Sequence, residues 1–133
     1  MVKSFLLSLF AFIYSFGFSQ QVIHAAKQKA SEDYENILVK KLSDDENQTS
    51  FMIWIKEGVA LHKHVHHTEN IFVLKGKGEM TINDEKFVIK KGDYFSIPKN
   101  SWHALKVLSS GPVQVISIQS PQFLGKDRIF PNG

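Results

Sequence analysis

Residues 58–76 read GVALHKHVHHTENIFVLKG, and this short span holds four histidines and one glutamate. His62, His64 and His66 are separated by single residues, so on a β-strand their side chains point to one face of the sheet. Imidazole nitrogens and a carboxylate are ligands that suit a divalent transition metal. The stretch therefore predicts a metal site that is built on a strand.

The spacing of this stretch resembles the first motif of the cupin family. His62-x-His64 is followed by four residues and Glu69, and then by six residues and Gly76. In that family the motif forms a pair of adjoining strands in a small β-barrel. The resemblance implies that the two histidines and the glutamate point into the barrel.

A second stretch, GDYFSIPKNSWH at residues 92–103, resembles the second cupin motif. Asn100 stands where the family usually has glycine, and asparagine tolerates the left-handed backbone conformation better than most residues. The resemblance implies one divalent transition metal (Mn, Fe, Ni, Cu or Zn), whose identity the sequence leaves open. The ligands that it implies are His62, His64, Glu69 and His103.

The histidine stretch allows a second register. Counting five residues from Gly58, the spacing usual in the family, selects His64 and His66 as the histidine pair. That register leaves only a His-Thr pair before the glutamate, whereas a two-residue hairpin favours Gly, Asn or Asp. We therefore expect His62 to be a ligand and keep His66 as the alternative.

The resemblance leaves the function open, because one fold supports many activities. Four protein ligands on a six-coordinate metal leave two positions for a small oxygen-bearing molecule, which favours a metal-dependent dioxygenase or isomerase. The alternative is a non-catalytic module that binds a sugar or a carboxylate. An apolar barrel lining would favour redox chemistry at the metal, and additional polar inward residues would favour isomerisation or sugar binding. The candidates to face the substrate are His66, His67 and Tyr94.

About nine short strands with turn residues between them occupy residues 37–119, which predicts an all-β sandwich or barrel. With the resemblance, we expect one small cupin barrel (a double-stranded β-helix, or jelly roll) over residues 37–133 with an irregular C-terminal tail. Residues 20–36 carry apolar side chains at helical spacing and predict a short helix against the barrel. Met52 and Trp54 extend an apolar outer face, which favours cover by that helix or by a second subunit. The resemblance also implies a homodimer.

Residues 1–19 have the pattern of a secretory signal peptide. A short positive start, MVK, precedes an apolar run and the small residues of Gly17-Phe18-Ser19. The apolar run is shorter than the roughly 20 residues that span a bilayer. We expect cleavage after Ser19, export to the periplasm or the extracellular space, and no stable membrane anchor afterwards.

Length and composition bound the remaining possibilities. The chain has 133 residues, which fits one domain, and no cysteine, which excludes disulfides, thiolate metal ligands and a cysteine nucleophile. Its 16 basic and 13 acidic residues are scattered, without a basic stripe interleaved with aromatic residues. We therefore expect a small-molecule partner and no nucleic acid.

Overall fold

Short alternating segments separated by turn residues fold into antiparallel strands in the computed structural model, which describes residues 22–131. Within that range nine strands lie between residues 37 and 120, as the sequence predicts, and a tenth, of two residues, follows. Their bounds are β1 (Ile37–Asp44), β2 (Thr49–Ile55), β3 (Gly58–His64), β4 (Thr68–Lys75), β5 (Lys77–Ile82), β6 (Glu85–Lys90), β7 (Tyr94–Ile97), β8 (His103–Val107), β9 (Val113–Ser120) and β10 (Arg128–Ile129).

The strands form two five-stranded sheets, with strand orders β1-β2-β9-β4-β7 and β10-β3-β8-β5-β6. Apolar side chains from both sheets meet between them, so the core lies inside the barrel. The all-β jelly-roll prediction is confirmed. The fully or nearly fully buried core residues are Ile55, Ile71, Val73, Met80, Ile89, Ile97, Leu105, Val113 and Val115.

The chain's own N-terminal segment covers the apolar outer face of the first sheet. Met52 and Trp54 are 0% and 4% exposed, and Ala25, Ala30 and Tyr34 pack against their cluster. Met52 and Trp54, which the sequence placed on an outward face, are therefore buried by residues of the same chain. This contact removes the outer face as an argument for a second subunit.

The predicted helix over residues 20–36 is reduced, within the described part, to one 3-10 turn at Ala25–Lys27. The side-chain amide of the buried Gln114 donates to the carbonyl oxygens of Ala25 and Gln28, at 3.4 Å each. An α-helix would use the Ala25 carbonyl for its own hydrogen-bond ladder. Contacts with the sheet therefore override helix propensity, which is weak in a segment of this length.

Residues 121–130, here termed the C-terminal strap, return to the barrel after β9. The strap contains β10, which pairs antiparallel with β3 and places Arg128 opposite His64 and Ile129 opposite Lys63. The sequence predicts an irregular tail over these residues, whereas the structure contains the two-residue strand β10 within them. Phe123 packs edge-on against Phe51 and thereby fixes the first half of the strap.

Among residues 22–131, no helix has the length and apolar character needed to cross a bilayer. The predicted signal peptide, residues 1–19, lies outside the described residues, as do the first two residues of the predicted helical segment. The described residues therefore do not test the prediction of export.

Candidate metal centre

Two neighbouring strands bring three imidazole rings together inside the barrel. His62 on β3 lies directly opposite His103 on β8, and His64 lies two residues further along the same face of β3. All three rings are buried, with exposed fractions of 2–3%. One ring nitrogen from each lies within 4.8 Å of the others, a spacing that a single metal ion could bridge.

Backbone carbonyls determine which nitrogen of two of these rings carries the proton. The Nδ1 atom of His62 lies 2.8 Å from the carbonyl oxygen of Ala60, and Nδ1 of His103 lies 3.0 Å from that of Ser101. A carbonyl only accepts, so each Nδ1 donates and each Nε2 presents its lone pair. This is the tautomer that a metal-ligating histidine needs.

Several of the nitrogen atoms at this point are buried without a hydrogen-bond partner among the described residues. They are Nε2 of His103 and both ring nitrogens of His64. An unsatisfied buried polar atom costs about 1–3 kcal/mol, so a cluster of them requires an explanation. A cation held between Nε2 of His103 and one ring nitrogen of His64 would satisfy these two atoms, and the donor set therefore fits a divalent transition metal.

The carboxylate comes from the opposite sheet. Glu69 on β4 is 7% exposed, and its Oε2 atom lies 3.5 Å from Nε2 of His103 and 3.8 Å from Nε2 of His64. Its other oxygen, Oε1, accepts hydrogen bonds from the hydroxyl of Ser117 and, at 3.4 Å, from the side-chain amide of Gln119. The carboxylate is thereby oriented with one oxygen free to face the imidazoles.

Sequence reasoning missed Ser117 and Gln119, although β9 carries a signal for them. The inward positions of this strand are apolar at Val113 and Val115 and then become polar at 117 and 119. Both polar side chains are nevertheless almost fully buried, at 0% and 3% exposed. A polar pair continuing an inward apolar row indicates a buried polar partner, here Glu69.

Burial and neighbouring groups fix the charges of the cluster. Burial, followed by the proximity of His103, lowers the pKa of His62 to about 4, and burial lowers the pKa of His64 as well. Burial alone would raise the pKa of Glu69, but the proximity of His103 and the hydrogen bond from Ser117 outweigh it and hold this pKa at about 2. At neutral pH the site therefore offers the neutral imidazoles of His62 and His64 and the carboxylate of Glu69, the forms that bind metals.

Acidification is expected to destabilise the metal-free protein in two successive ranges. The pKa of His62 is about 4 when folded and 6.5 ordinarily, so the unfolded chain binds more protons between these values and the free energy of unfolding falls from pH 6.5 to 4. The pKa of Glu69 is about 2 when folded and 4.5 ordinarily, so the free energy of unfolding falls further from pH 4.5 to 2. Urea unfolding of metal-stripped protein across this range measures the effect. His62→Gln should flatten part of the first range, and equal slopes for both proteins would contradict the assignment.

His62, His103 and Glu69 line a partly open cavity of about 90 Å³. Its polar lining consists of His62, Glu69, His103 and Arg128. All other lining residues are apolar, and they are Ile37, Val39, Ile53, Ile55, Val59, Ile71, Met80, Ile89, Phe95, Ile97, Ala104, Leu105 and Val115.

The structure separates the other three sequence candidates from this cavity. His66 is exposed in the loop between β3 and β4 and is not part of the cluster of His62, His64 and His103. The geometry therefore brings His62, and not His66, to the other imidazoles. Tyr94 is 64% exposed, and its hydroxyl donates to Asn70 at 2.8 Å. Neither side chain lines the cavity, because each lies on the outer side of its strand or loop.

His67 is buried, but it faces the C-terminal strap instead of the cavity. Its Nδ1 atom contacts the carboxylate of Asp127, and its Nε2 atom lies 2.8 Å from the carbonyl oxygen of Gln122. Both ring nitrogens face acceptors, so both donate and the ring forms a buried ion pair with Asp127. His67 therefore holds the strap, and the expectation that it faces a substrate is not supported by its contacts.

The carboxylate of Asp127 also accepts hydrogen bonds from backbone N–H groups of the β3–β4 loop. Its two oxygens lie 3.1, 2.9 and 3.1 Å from the nitrogens of Val65, His66 and His67. No feature of the sequence near Asp127 indicates these contacts, because the partners are 60 residues away. The strap is thereby attached to the loop that joins the two ligand-bearing strands.

Comparison with known proteins agrees with this geometry. The family model of the cupin domain matches residues 51–119, which is more than half of the chain and includes all four expected ligands. The chain belongs to the cupin family. An uncharacterized protein of Aquifex aeolicus is 38% identical over 95 residues, a match that covers 71% of this chain and 78% of that protein.

Other cupin matches are partial or more distant. A mannose-1-phosphate guanylyltransferase of Escherichia coli is 33% identical over 80 residues, which cover 59% of this chain but only 17% of the enzyme. The structure of KdgF from Halomonas sp. matches with a TM-score of 0.64 at 23% identity, over 70% of this chain and 86% of that one. An oxalate decarboxylase of Lactobacillus farciminis matches with a TM-score of 0.65 at 16% identity, over 76% and 33%. These structural matches show a shared cupin fold.

Proposed function

We propose that this cupin is an exported small metalloenzyme that acts on a small oxygen-bearing molecule, with one divalent transition metal held by His62, His64, Glu69 and His103. The observation that carries the proposal is the convergence of three buried imidazoles and one oriented carboxylate beside a largely apolar cavity. Four protein ligands leave two positions of an octahedral metal for the substrate. A metal bound here would supply Lewis-acid or redox chemistry.

The lining of the cavity favours the dioxygenase version of this proposal over the isomerase version. Among residues 22–131, Arg128 is the only polar residue that lines the cavity apart from the expected ligands, so few groups of this range can bind sugar hydroxyls or move protons between carbon atoms. Ser117 and Gln119 are occupied by Glu69. Apolar walls limit the access of water to the site, which suits the redox chemistry that a bound metal would supply.

The residues at the site have separate roles, which are to hold the metal, to orient its ligands and to position the substrate. The Nε2 atoms of the histidines and Oε2 of Glu69 hold the metal, and the carbonyls of Ala60 and Ser101 keep two rings in the correct tautomer. Ser117 keeps the carboxylate oriented through Oε1. The apolar side chains position the body of the substrate against the metal.

The test is a reconstitution screen. Protein loaded separately with Fe, Mn, Ni, Cu or Zn is incubated with diketones, phenolic compounds and sugars, while oxygen uptake and substrate loss are followed. We expect oxygen uptake with a redox-active metal and none with His103→Ala prepared in the same way. Turnover without oxygen uptake would favour the isomerase version.

The alternative function is a non-catalytic module that binds a carboxylate or a sugar. An open metal position binds carboxylates without converting them, and the apolar walls favour a carboxylate over a sugar among these ligands. Binding in calorimetry with no turnover under any of the five metals would support this alternative and reject the enzyme.

Export and a homodimer belong to the same proposal. The sequence of residues 1–19 supports export, and mass spectrometry of the exported protein should find a chain that begins near Gln20. Ile37 and Val39, which also line the cavity, support the dimer, since they leave 40% and 50% of an apolar side chain exposed on the edge strand β1. Light scattering that gave a monomer mass at micromolar concentration would reject the dimer.

A further inference from the structure

Arg128 shares the inward face of the histidine strand. It lies directly opposite His64 in the β10–β3 pair, and residues opposite one another in an antiparallel pair project to the same side of the sheet. Its side chain accordingly lines the cavity together with His62, Glu69 and His103.

The guanidinium of Arg128 has no acidic partner within residues 22–131. The ion pairs of that range use other cations, and every remaining lining residue except the metal-site groups is apolar. The residue is exposed at the strap, so an incoming molecule can reach it from solvent. An unpaired guanidinium beside an apolar cavity is a binding group for an anion.

Phe130 adds an apolar surface close to His62, which lines the cavity. It lies two residues beyond Arg128 on the strap, and its ring centroid is 6.1 Å from that of His62. The ring is 46% exposed, so part of its surface is free to contact a ligand. The strap therefore brings one cation and one aromatic ring near this histidine.

We propose that the ligand of this site is a small apolar carboxylate, and that Arg128 selects it by pairing with the carboxylate at the opening of the cavity. The proposal rests on the proposed function, since it names the class of molecule that would reach the metal. It assigns to the C-terminal strap a role in specificity, with Phe130 contacting the apolar body of the ligand.

A carboxylate fits this surface better than a phosphate or a neutral polyol. One guanidinium matches the planar, singly charged carboxylate in a two-point contact, whereas a phosphate carries up to two charges and requires further donors. A polyol would place several hydroxyls against apolar walls without hydrogen-bond partners, at a cost for each. The substrate class follows from the single cation and the thirteen apolar residues that line the cavity.

The test uses benzoate and its neutral analogue benzamide as probes, with calorimetry on the zinc-loaded and the metal-free full-length protein. Zinc has no redox chemistry, so the probe is bound without turnover. We expect benzoate to bind at least about tenfold more tightly than benzamide in both forms, because only the charged carboxylate forms an ion-paired hydrogen bond with the guanidinium. Arg128→Gln should remove most of that preference by weakening benzoate alone, and Arg128→Lys should retain part of it.

Lys126→Gln is the matched control, because it removes the same charge from the same exposed strap at a residue that does not line the cavity. Equal effects of Arg128→Gln and Lys126→Gln would overturn the proposal, as would equal binding of the two probes or no binding at millimolar concentration. Metal content is measured for each protein before the titrations. A wild-type protein that takes up no metal would reject the proposed function, while the metal-free titrations would still report on Arg128.

Discussion

His62→Gln is expected to lower metal affinity by more than about 100-fold, so that the purified variant contains little metal. Loss of a residue that only supports a metal ligand costs roughly 10- to 100-fold, and loss of the ligand itself should exceed that. The lost Nε2 atom is one of three imidazole nitrogens within 4.8 Å of one another. Elemental analysis after reconstitution, together with competition against a chelator, measures the change.

Two matched variants make this result specific. His66→Gln makes the same change at an exposed histidine four residues away and should leave the metal content unchanged. Ser117→Ala keeps all four expected ligands but removes a hydrogen bond to Glu69, and it should fall within the roughly 10- to 100-fold range. If His66→Gln lost its metal and His62→Gln kept it, the alternative register would be correct.

Asp127→Ala is expected to lower the free energy of unfolding by about 3–5 kcal/mol, the usual cost of removing one partner from a buried ion pair. The substitution leaves His67 buried without its carboxylate partner and frees three backbone N–H groups of the β3–β4 loop. Most domains have only about 5–15 kcal/mol of stability, so the loss is large. Urea unfolding of the metal-free protein measures it.

Lys126→Ala is the control, because the neighbouring side chain is exposed on the same strap and should change stability by no more than about 0.5 kcal/mol. Asp127→Asn retains an oxygen for the N–H groups but removes the charge, and an intermediate loss is expected. A change below about 1 kcal/mol for Asp127→Ala would show that the ion pair does not hold the strap.

The sequence predicts the strands well because they depend on local patterns. Turn residues separate the strands, and the resemblance of the two motifs to the cupin family places the expected ligands on adjoining strands. Asn100, expected to tolerate a left-handed backbone, has φ of 66°, and its N–H donates to the carbonyl of His64. The second motif is thereby attached to the first.

Contacts between residues that lie far apart in the sequence could not be predicted from it. Asp127 contacts its loop across about 60 residues, and no spacing rule relates the two segments. The helix expected over residues 20–36 follows local propensity, but the side chain of Gln114 on β9 takes the backbone carbonyls that such a helix needs. Tyr94 and His66 were chosen for their chemistry, and the direction in which each side chain points depends on the strand register.

The expected ligands come from opposite halves of the barrel, with Glu69 on one sheet and the three histidines on the other. A metal held by all four would act as a reversible cross-link between the two sheets, in a chain that has no cysteine to form a permanent one. Since only the folded chain assembles the site, free metal at 100 times its dissociation constant would add about 2.7 kcal/mol to the stability. The melting temperature of this barrel would then depend on the metal concentration of the compartment in which it is found.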